Sequence, residues 1–339
     1  MSTYDTNVLQ VQLAAEKRAA IVSASNQDLG VSEAIREKIL NAMTQPPSFS
    51  RAPRKSANTL SRNISLVVPG LHTADYVGLV VQGIFKLSQT LDYNIILHVQ
   101  NSALQTHNTN YFRSLITNGT IDGFLLIVPH YFDIFTHLCS EYNLPCVAVD
   151  DAGVIHESIP VISSTDYLGM REAVQHLISL GHQRIGFITG FLHTHSARER
   201  LRGYRDALEC SGLPYDPLLV REGDWSRPLG FTLTQQLLML DTPPTAIAAS
   251  NDLMAFGVID AVKEAALIIG SEFSVIGFDD IPEAATFLPP LTTVRQPMEE
   301  MGRAALELLI DMIEGHTPSP KREYNTTLIT RQTTGPLKP

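Results

Sequence analysis

Three apolar runs in this 339-residue chain end on paired acids or amides: Asp150 and Asp151 after "PCVAV", Asn251 and Asp252 after "PTAIAAS", and Asp279 and Asp280 after "FSVIGF". A carboxylate at the end of a buried strand can accept hydrogen bonds from hydroxyls or balance a cation. The same residue types can instead cap the helix that follows. Neighbours on extended backbone point to opposite faces, so acid and base work by such a pair would need partners across a cleft. His193 and His195 could hold a metal, but no third ligand stands at a suitable spacing, and the pair reads as a surface loop. Cys139, Cys146 and Cys210 form no CxxC pair and read as buried thiols. GxSxG, GxxxxGK[ST], HExxH and a GxGxxG after a strand are all absent. A binding protein is expected before an enzyme, with no catalytic residue, metal or cofactor.

The acid pairs belong to a regular alternation. "ISLVVPG" (64–70), "NIILHV" (94–99), "GFLLIVP" (123–129) and "PCVAVDD" (145–151) are continuous apolar runs, the mark of strands buried on both faces of a parallel sheet. Helical spacing falls between them, over 76–90 and 108–118. The rhythm then repeats with "RIGFITG" (184–190), "PTAIAASND" (244–252) and "FSVIGFDD" (273–280), separated by helices near 167–180, 196–211, 227–240 and 252–266. Such alternation, run twice with a break near 152–165, predicts two doubly wound α/β lobes. A ligand would lie between them, at the carboxyl ends of the strands. The last helix carries Met298, Met301, Ala305, Leu308, Leu309 and Met312 as an apolar stripe, fit for a core or a dimer surface. A final strand is expected in "YNTTLITRQT".

Composition narrows the partners. No apolar run approaches the roughly 20 residues of a membrane span, and the start, "MSTYDTNVLQVQL", lacks a basic leader and an apolar core, so a cytoplasmic protein is expected. The net charge is −10, yet residues 1–63 carry +3 and the remainder −13. That asymmetry reserves any anionic partner for the head.

The runs "LISLGHQRIGFITG", "ARERLRGYRDAL", "REGDWS", "PTAIAASNDLMAFGVIDA" and "SVIGFDDIPEAATFLPPLTTVRQPMEEMGRAALELL" resemble the lactose-repressor (LacI/GalR) family of bacterial transcription regulators. The resemblance covers nearly everything from residue 64 onward. It implies two periplasmic-binding-protein-like lobes, 64–162 plus 297–322 and 163–296 plus 323–339, with the chain crossing between them three times. It also implies a homodimer and a small-molecule effector, a sugar, held by Tyr76, Asp150, Arg200, Trp225, Asn251, Asp279 and Gln296. Arg200 would pair with vicinal hydroxyls or with an acid across the cleft, and Trp225 would stack on the sugar. In this chain Thr165 and Asp166 stand where the family commonly has Asp and Asn.

By the same resemblance residues 1–45 are a small all-α helix-turn-helix head for operator DNA, and 46–63 a hinge. Arg18 and Ser23 would face bases, with Lys17, Arg51, Arg54 and Lys55 on phosphates. Ala15, Glu16 and Lys17 replace the family's Gly-Val-Ser turn, so a continuous helix over 8–24 is the alternative. Ser56 takes the place of the hinge leucine that wedges into the minor groove, and Pro53 suits only a helix's first turn. Two functions follow: a sugar-responsive repressor, or a cytoplasmic sugar sensor that has lost specific DNA binding.

Overall fold

A computed structural model describes residues 60–69, 74–99, 105–128, 132–150, 159–316 and 321–337. All of them belong to one compact unit, Ala57–Pro339. Lys17, Arg18, Ser23, Arg51, Arg54 and Lys55 lie outside the described residues, as do the expected head and most of the hinge.

Two six-stranded sheets organise the unit. The first contains β1 (Asn63–Val68), β2 (Asn94–Val99), β3 (Gly123–Ile127), β4 (Cys146–Val149), β5 (Val161–Ser164) and β11 (Lys321–Tyr324), in the order β11-β5-β4-β3-β1-β2. Every pairing in it is parallel. The second contains β6 (Ile185–Thr189), β7 (Val220–Glu222), β8 (Ala246–Ala249), β9 (Ser274–Asp279), β10 (Thr292–Arg295) and β12 (Thr327–Ile329), in the order β12-β10-β9-β8-β6-β7, and only β12 runs antiparallel to its neighbour. The continuous apolar runs are the central strands: β3, β4, β6, β8 and β9 are buried throughout. Edge strand β2 instead leaves Leu97 and Val99 exposed.

Helices cover both sheets: α1 (Ala74–Leu91), α2 (Gln105–Thr117) and α3 (Phe132–Tyr142) on the first, and α4 (Asp166–Ser179), α5 (His195–Cys210), α6 (Arg227–Leu238), α7 (Asp252–Glu264) and the short α8 (Pro282–Thr286) on the second. Helix α9 (Met298–Ile313) follows the second sheet in sequence but packs on α1 and on β3 and β4 of the first. Its stripe is core: Met298, Met301, Ala305, Leu308 and Leu309 are buried. The contact with α1 is backbone to backbone. A Cβ on Gly302 would lie 2.0 Å from the Val80 carbonyl oxygen, and one on Gly83 1.9 Å from that of Glu299.

The chain changes lobe three times, after β5, after β10 and between β11 and β12. The first and third changes fall at Ser164 and Tyr324, two residues beyond 162 and 322, because β5 and β11 complete their pairing with each other before the chain leaves the sheet. The expected final strand, 324–333, contains β12 of the second sheet, whereas β11 of the first sheet precedes it and shares only Tyr324 with it. Cys139 and Cys146 are buried, whereas Cys210, at the last position of α5, is exposed. At the crossings, Thr165 N donates to the Tyr324 carbonyl, the Thr165 and Thr326 hydroxyls meet at 3.0 Å, and Thr326 N donates to Thr165 Oγ1.

The glycine contact gives a direct test. Gly302→Ala should lower stability by about 1–3 kcal/mol through overpacking, read as a drop in thermal midpoint. Gly315→Ala, at a position with open space around it but a φ of +93°, should lose only the smaller conformational amount, about 1 kcal/mol.

Candidate functional site

The polar residues at the carboxyl ends of the strands converge on one buried guanidinium. Arg200 lies on α5 and is 3% exposed, so its charge requires partners inside the protein. Asp166 supplies the first. It opens α4, where the helix dipole favours a carboxylate, and its Oδ1 accepts from Arg200 Nε and Nη2, each at 2.7 Å. Arg200 Nη1 donates to the Ser250 carbonyl at the end of β8 and lies 3.9 Å from Asp279 Oδ1 at the end of β9. The guanidinium covers the Phe278 ring at 3.8 Å and stands 5.7 Å from the Trp225 ring. Burial opposes its charge, but Asp166 and then Asp279 hold its pKa above the ordinary value. Arg200 was expected to pair with vicinal hydroxyls or with an acid across the cleft; as for an acid, the one it meets is not across the cleft. It pairs instead within its own lobe, because Asp166 stands at the start of the neighbouring helix.

Gln296 joins the lobes. Its Nε2 donates to Asp279 Oδ1 at 2.7 Å, and its Oε1 accepts from Ser164 Oγ at 2.7 Å. Ser164 ends β5 of the first sheet, while Gln296 follows β10 of the second. On the first lobe the Tyr76 hydroxyl, from α1, donates to Asp150 Oδ2 just past β4. Burial, then Asp150, and then the second-lobe acids Asp279 and Asp166 raise the Tyr76 pKa well above its usual value. The fields of the two lobes therefore meet at this hydroxyl.

Trp225 and Asn251 complete the set. The indole lies against Gly190 at the end of β6, where a Cβ would come within 1.9 Å of Trp225 Cζ2. Asn251 caps α7: its Oδ1 accepts from Met254 N and its Nδ2 donates to the Trp225 carbonyl. Both ends of that amide are thus engaged within the protein. Asp252 is fully buried and takes the Ile281 amide and the Thr293 hydroxyl, and Asp280 takes Arg295 and Arg331. These second members of the pairs are structural. Asp151 lies outside the described residues. His195 opens α5, the exposed His193 packs on Phe191, and Thr194 between them caps the helix.

Asp150, Trp225 and Asp279 adopt positive φ, at 52°, 69° and 123°. Such conformations cost roughly 1–3 kcal/mol each and persist only where the surroundings enforce them. Sequence reasoning missed Asp166, Ser164 and Gly190 as parts of this network. Asp166 had a signal, its departure from the pattern at that position, whereas nothing in "VISS" distinguishes Ser164.

Comparison with known proteins agrees with this architecture. The periplasmic binding protein-like domain model matches residues 174–334. The HTH-type transcriptional repressor CytR of Escherichia coli K12 is 31% identical over 335 residues, 96% of each chain. The chain belongs to the LacI family of transcriptional regulators. Another relative, the ribose operon repressor of the same strain, is 32% identical over 322 residues, covering 94% of this chain and 96% of its own. Among solved structures, the transcriptional regulator CelR–cellobiose complex is 27% identical with a TM-score of 0.75, covering 93% of this chain and 94% of that one. A regulator from Enterococcus faecium with bound ribose is 26% identical with a TM-score of 0.73, covering 81% and 100%.

The acid cluster predicts a pH dependence. Burial, reinforced by Asp150 and Asp166 and opposed by Arg200 and Gln296, raises the Asp279 pKa to about 7. Unfolded, the same carboxyl titrates near 3.9. The folded state holds this proton more tightly, so its stabilisation is complete below about pH 4 and is lost as pH rises toward 7. Asp279→Asn should remove this loss. The thermal midpoint of the variant minus that of the parent should increase between about pH 5 and about pH 8; a constant difference would contradict the assignment.

Proposed function

We propose that this LacI-family regulator is a repressor that senses a small sugar in the cleft between its lobes and binds operator DNA through its N-terminal head. The observation that carries the sugar reading is the ring of hydrogen-bonding side chains at the strand ends: Tyr76 with Asp150 on one lobe, Asp166, Arg200 and Asp279 on the other, and Gln296 between them. Carboxylates accept from sugar hydroxyls, and the half-buried Trp225 offers an apolar face for the ring's C–H groups. Asn251, already a cap, can add contacts through its remaining donor and lone pair. The sugar-bound relatives support the reading, and full-length matches to repressors support the head.

A ligand that touches both lobes favours the closed arrangement by its differential affinity for it. In a homodimer, closure would alter how two heads are held and so alter DNA affinity. A cytoplasmic location fits this role, and no described helix is long and apolar enough to cross a membrane. Relatives that are repressors support a protein that is not an enzyme. Pro53 and Ser56 in the hinge favour a second reading, a sugar sensor that has lost specific DNA binding.

Two measurements decide. Trp225 is the chain's single tryptophan, so its emission against a panel of sugars reports cleft binding, and Asp279→Ala should abolish the response. A mobility shift with the DNA upstream of its gene should weaken at least about tenfold between 50 and 200 mM salt, as phosphate contacts release counterions. No shift at low salt would leave the second reading.

A further inference from the structure

The backbone at Trp225 is strained, and one side chain holds it. A bulky residue at a φ of +69° is a conformational outlier that persists only where contacts enforce it. Trp225 lies in the loop between β7 and α6, and in the sheet β6 separates β7 from β8. The indole lies back against Gly190 at the end of β6. The carbonyl of Trp225 reaches one strand further, accepting from Asn251 Nδ2 at 3.1 Å just past the end of β8. Among the described residues this is the one hydrogen bond of the Trp225 main chain. Its neighbours are fastened separately: Gly223 N donates to the Thr189 carbonyl at 3.0 Å, and Asp224 Oδ1 accepts from Ser226 N at 2.9 Å.

The Asn251 amide makes this contact in one orientation only. Its Oδ1 is committed to Met254 N at 2.9 Å as the cap of α7, so Nδ2 is the end that faces the Trp225 carbonyl. The residue is buried, which holds the amide in place. Ser or Asp would cap the helix about as well as Asn. Neither brings an amide donor to the Trp225 carbonyl. Capping alone therefore does not account for an asparagine here, whereas the second bond does.

We infer that Asn251 is a positioning residue that serves the effector site through Trp225: its Nδ2 clamps the Trp225 carbonyl and so fixes the indole over Gly190 as a rigid face for a sugar ring. The use for a sugar rests on the proposed effector reading of the cleft, while the clamp itself does not. An indole held in one place loses no freedom when a ligand settles on it, so the clamp lowers the cost of binding. Released, the loop would relax from the strained φ and the indole would leave its seat.

The lone tryptophan reports on the clamp without any ligand. At about pH 8, where a capping carboxyl is ionised, near-UV ellipticity and acrylamide quenching of Trp225 are measured for the parent, Asn251→Ser and Asn251→Asp. Both substitutions keep a cap and lack the donor, one neutral and smaller, the other of the same shape and charged. The longest-wavelength ellipticity band, which belongs to tryptophan, should lose at least about half its intensity in both, and the quenching constant should rise at least about twofold, as fixed packing is lost. The thermal midpoint should fall by no more than about 4 °C, the shift of one hydrogen bond in a domain this large. Tryptophan signals unmoved in both variants, or moved in only one, overturn the inference, since a cap alone, a cavity or an added charge would then account for the residue. In a second arm, calorimetry measures binding of a panel that includes D-ribose, D-glucose and cellobiose. For any sugar that binds the parent, Asn251→Ser should weaken affinity at least about threefold, and the same change in a Trp225→Leu background should cost less than about 1.5-fold. Equal losses in both backgrounds mean a direct contact with the sugar and overturn the inference too. If no sugar binds the parent, the effector reading of the cleft fails, while the first arm still decides the clamp. Where Trp225→Leu leaves no binding to measure, the first arm decides alone. Should either Asn251 variant not fold, Asn251→Thr, another cap without the amide donor, replaces it.

Discussion

A guanidinium buried at the meeting point of two helices and two strand ends is the constraint around which the second lobe is arranged. Removing such a charge from water is costly, and leaving it without partners costs several kcal/mol more. Arg200 is satisfied only when the start of α4, the end of β8 and the end of β9 are all in place, because Asp166, the Ser250 carbonyl and the Phe278 ring come from those three elements. Close backbone approach makes this arrangement attainable. A Cβ on Gly203 of α5 would stand 2.4 Å from the Tyr167 carbonyl oxygen of α4, so the two helices touch without side chains between them. The first lobe uses the same device between α1 and α9.

Much of this fold is legible in the sequence because parallel strands buried on both faces must be apolar without interruption. β1, β3, β4, β6, β8 and β9 are all of this kind, and the helices between them follow. The elements that escaped reading lack that signature. β5 is "VISS", β7 is "VRE" and β10 is "TTVR", each short and partly polar, and they become strands only through neighbours already in place. α3, "FDIFTHLCSEY", mixes aromatic and polar residues without an obvious stripe, although Phe135, Leu138 and Cys139 are its buried face.

The acid pairs mark the limit of sequence reading. Capping and ligand binding use the same residue types, and which of them a residue serves depends on groups distant in the chain. Asn251 caps its helix, Asp252 holds the Ile281 amide 29 positions later, and Asp280 anchors Arg331, 51 positions later. Asp150, Asp279 and Asp280 all adopt positive φ at the strand ends, a conformation that periodicity does not reveal and that does not by itself separate the two uses. Trp225 shares that feature, and for a bulky residue it is the more unusual. The strain is supported by the cores beneath, where β4, β8 and β9 are buried along their whole length.

The crossings between the lobes are fastened by neutral groups. Thr165 and Thr326 exchange hydrogen bonds through hydroxyls and backbone, and Ser164 meets Gln296 through a hydroxyl and an amide. Contacts of this kind respond weakly to ionic strength, unlike contacts between formal charges. The contacts that fasten one crossing to another are therefore almost indifferent to salt. A change in ionic strength would therefore act on the charged groups beside the crossings, Asp279 under Gln296 and Asp280 under Arg295, before it acts on the contacts between them.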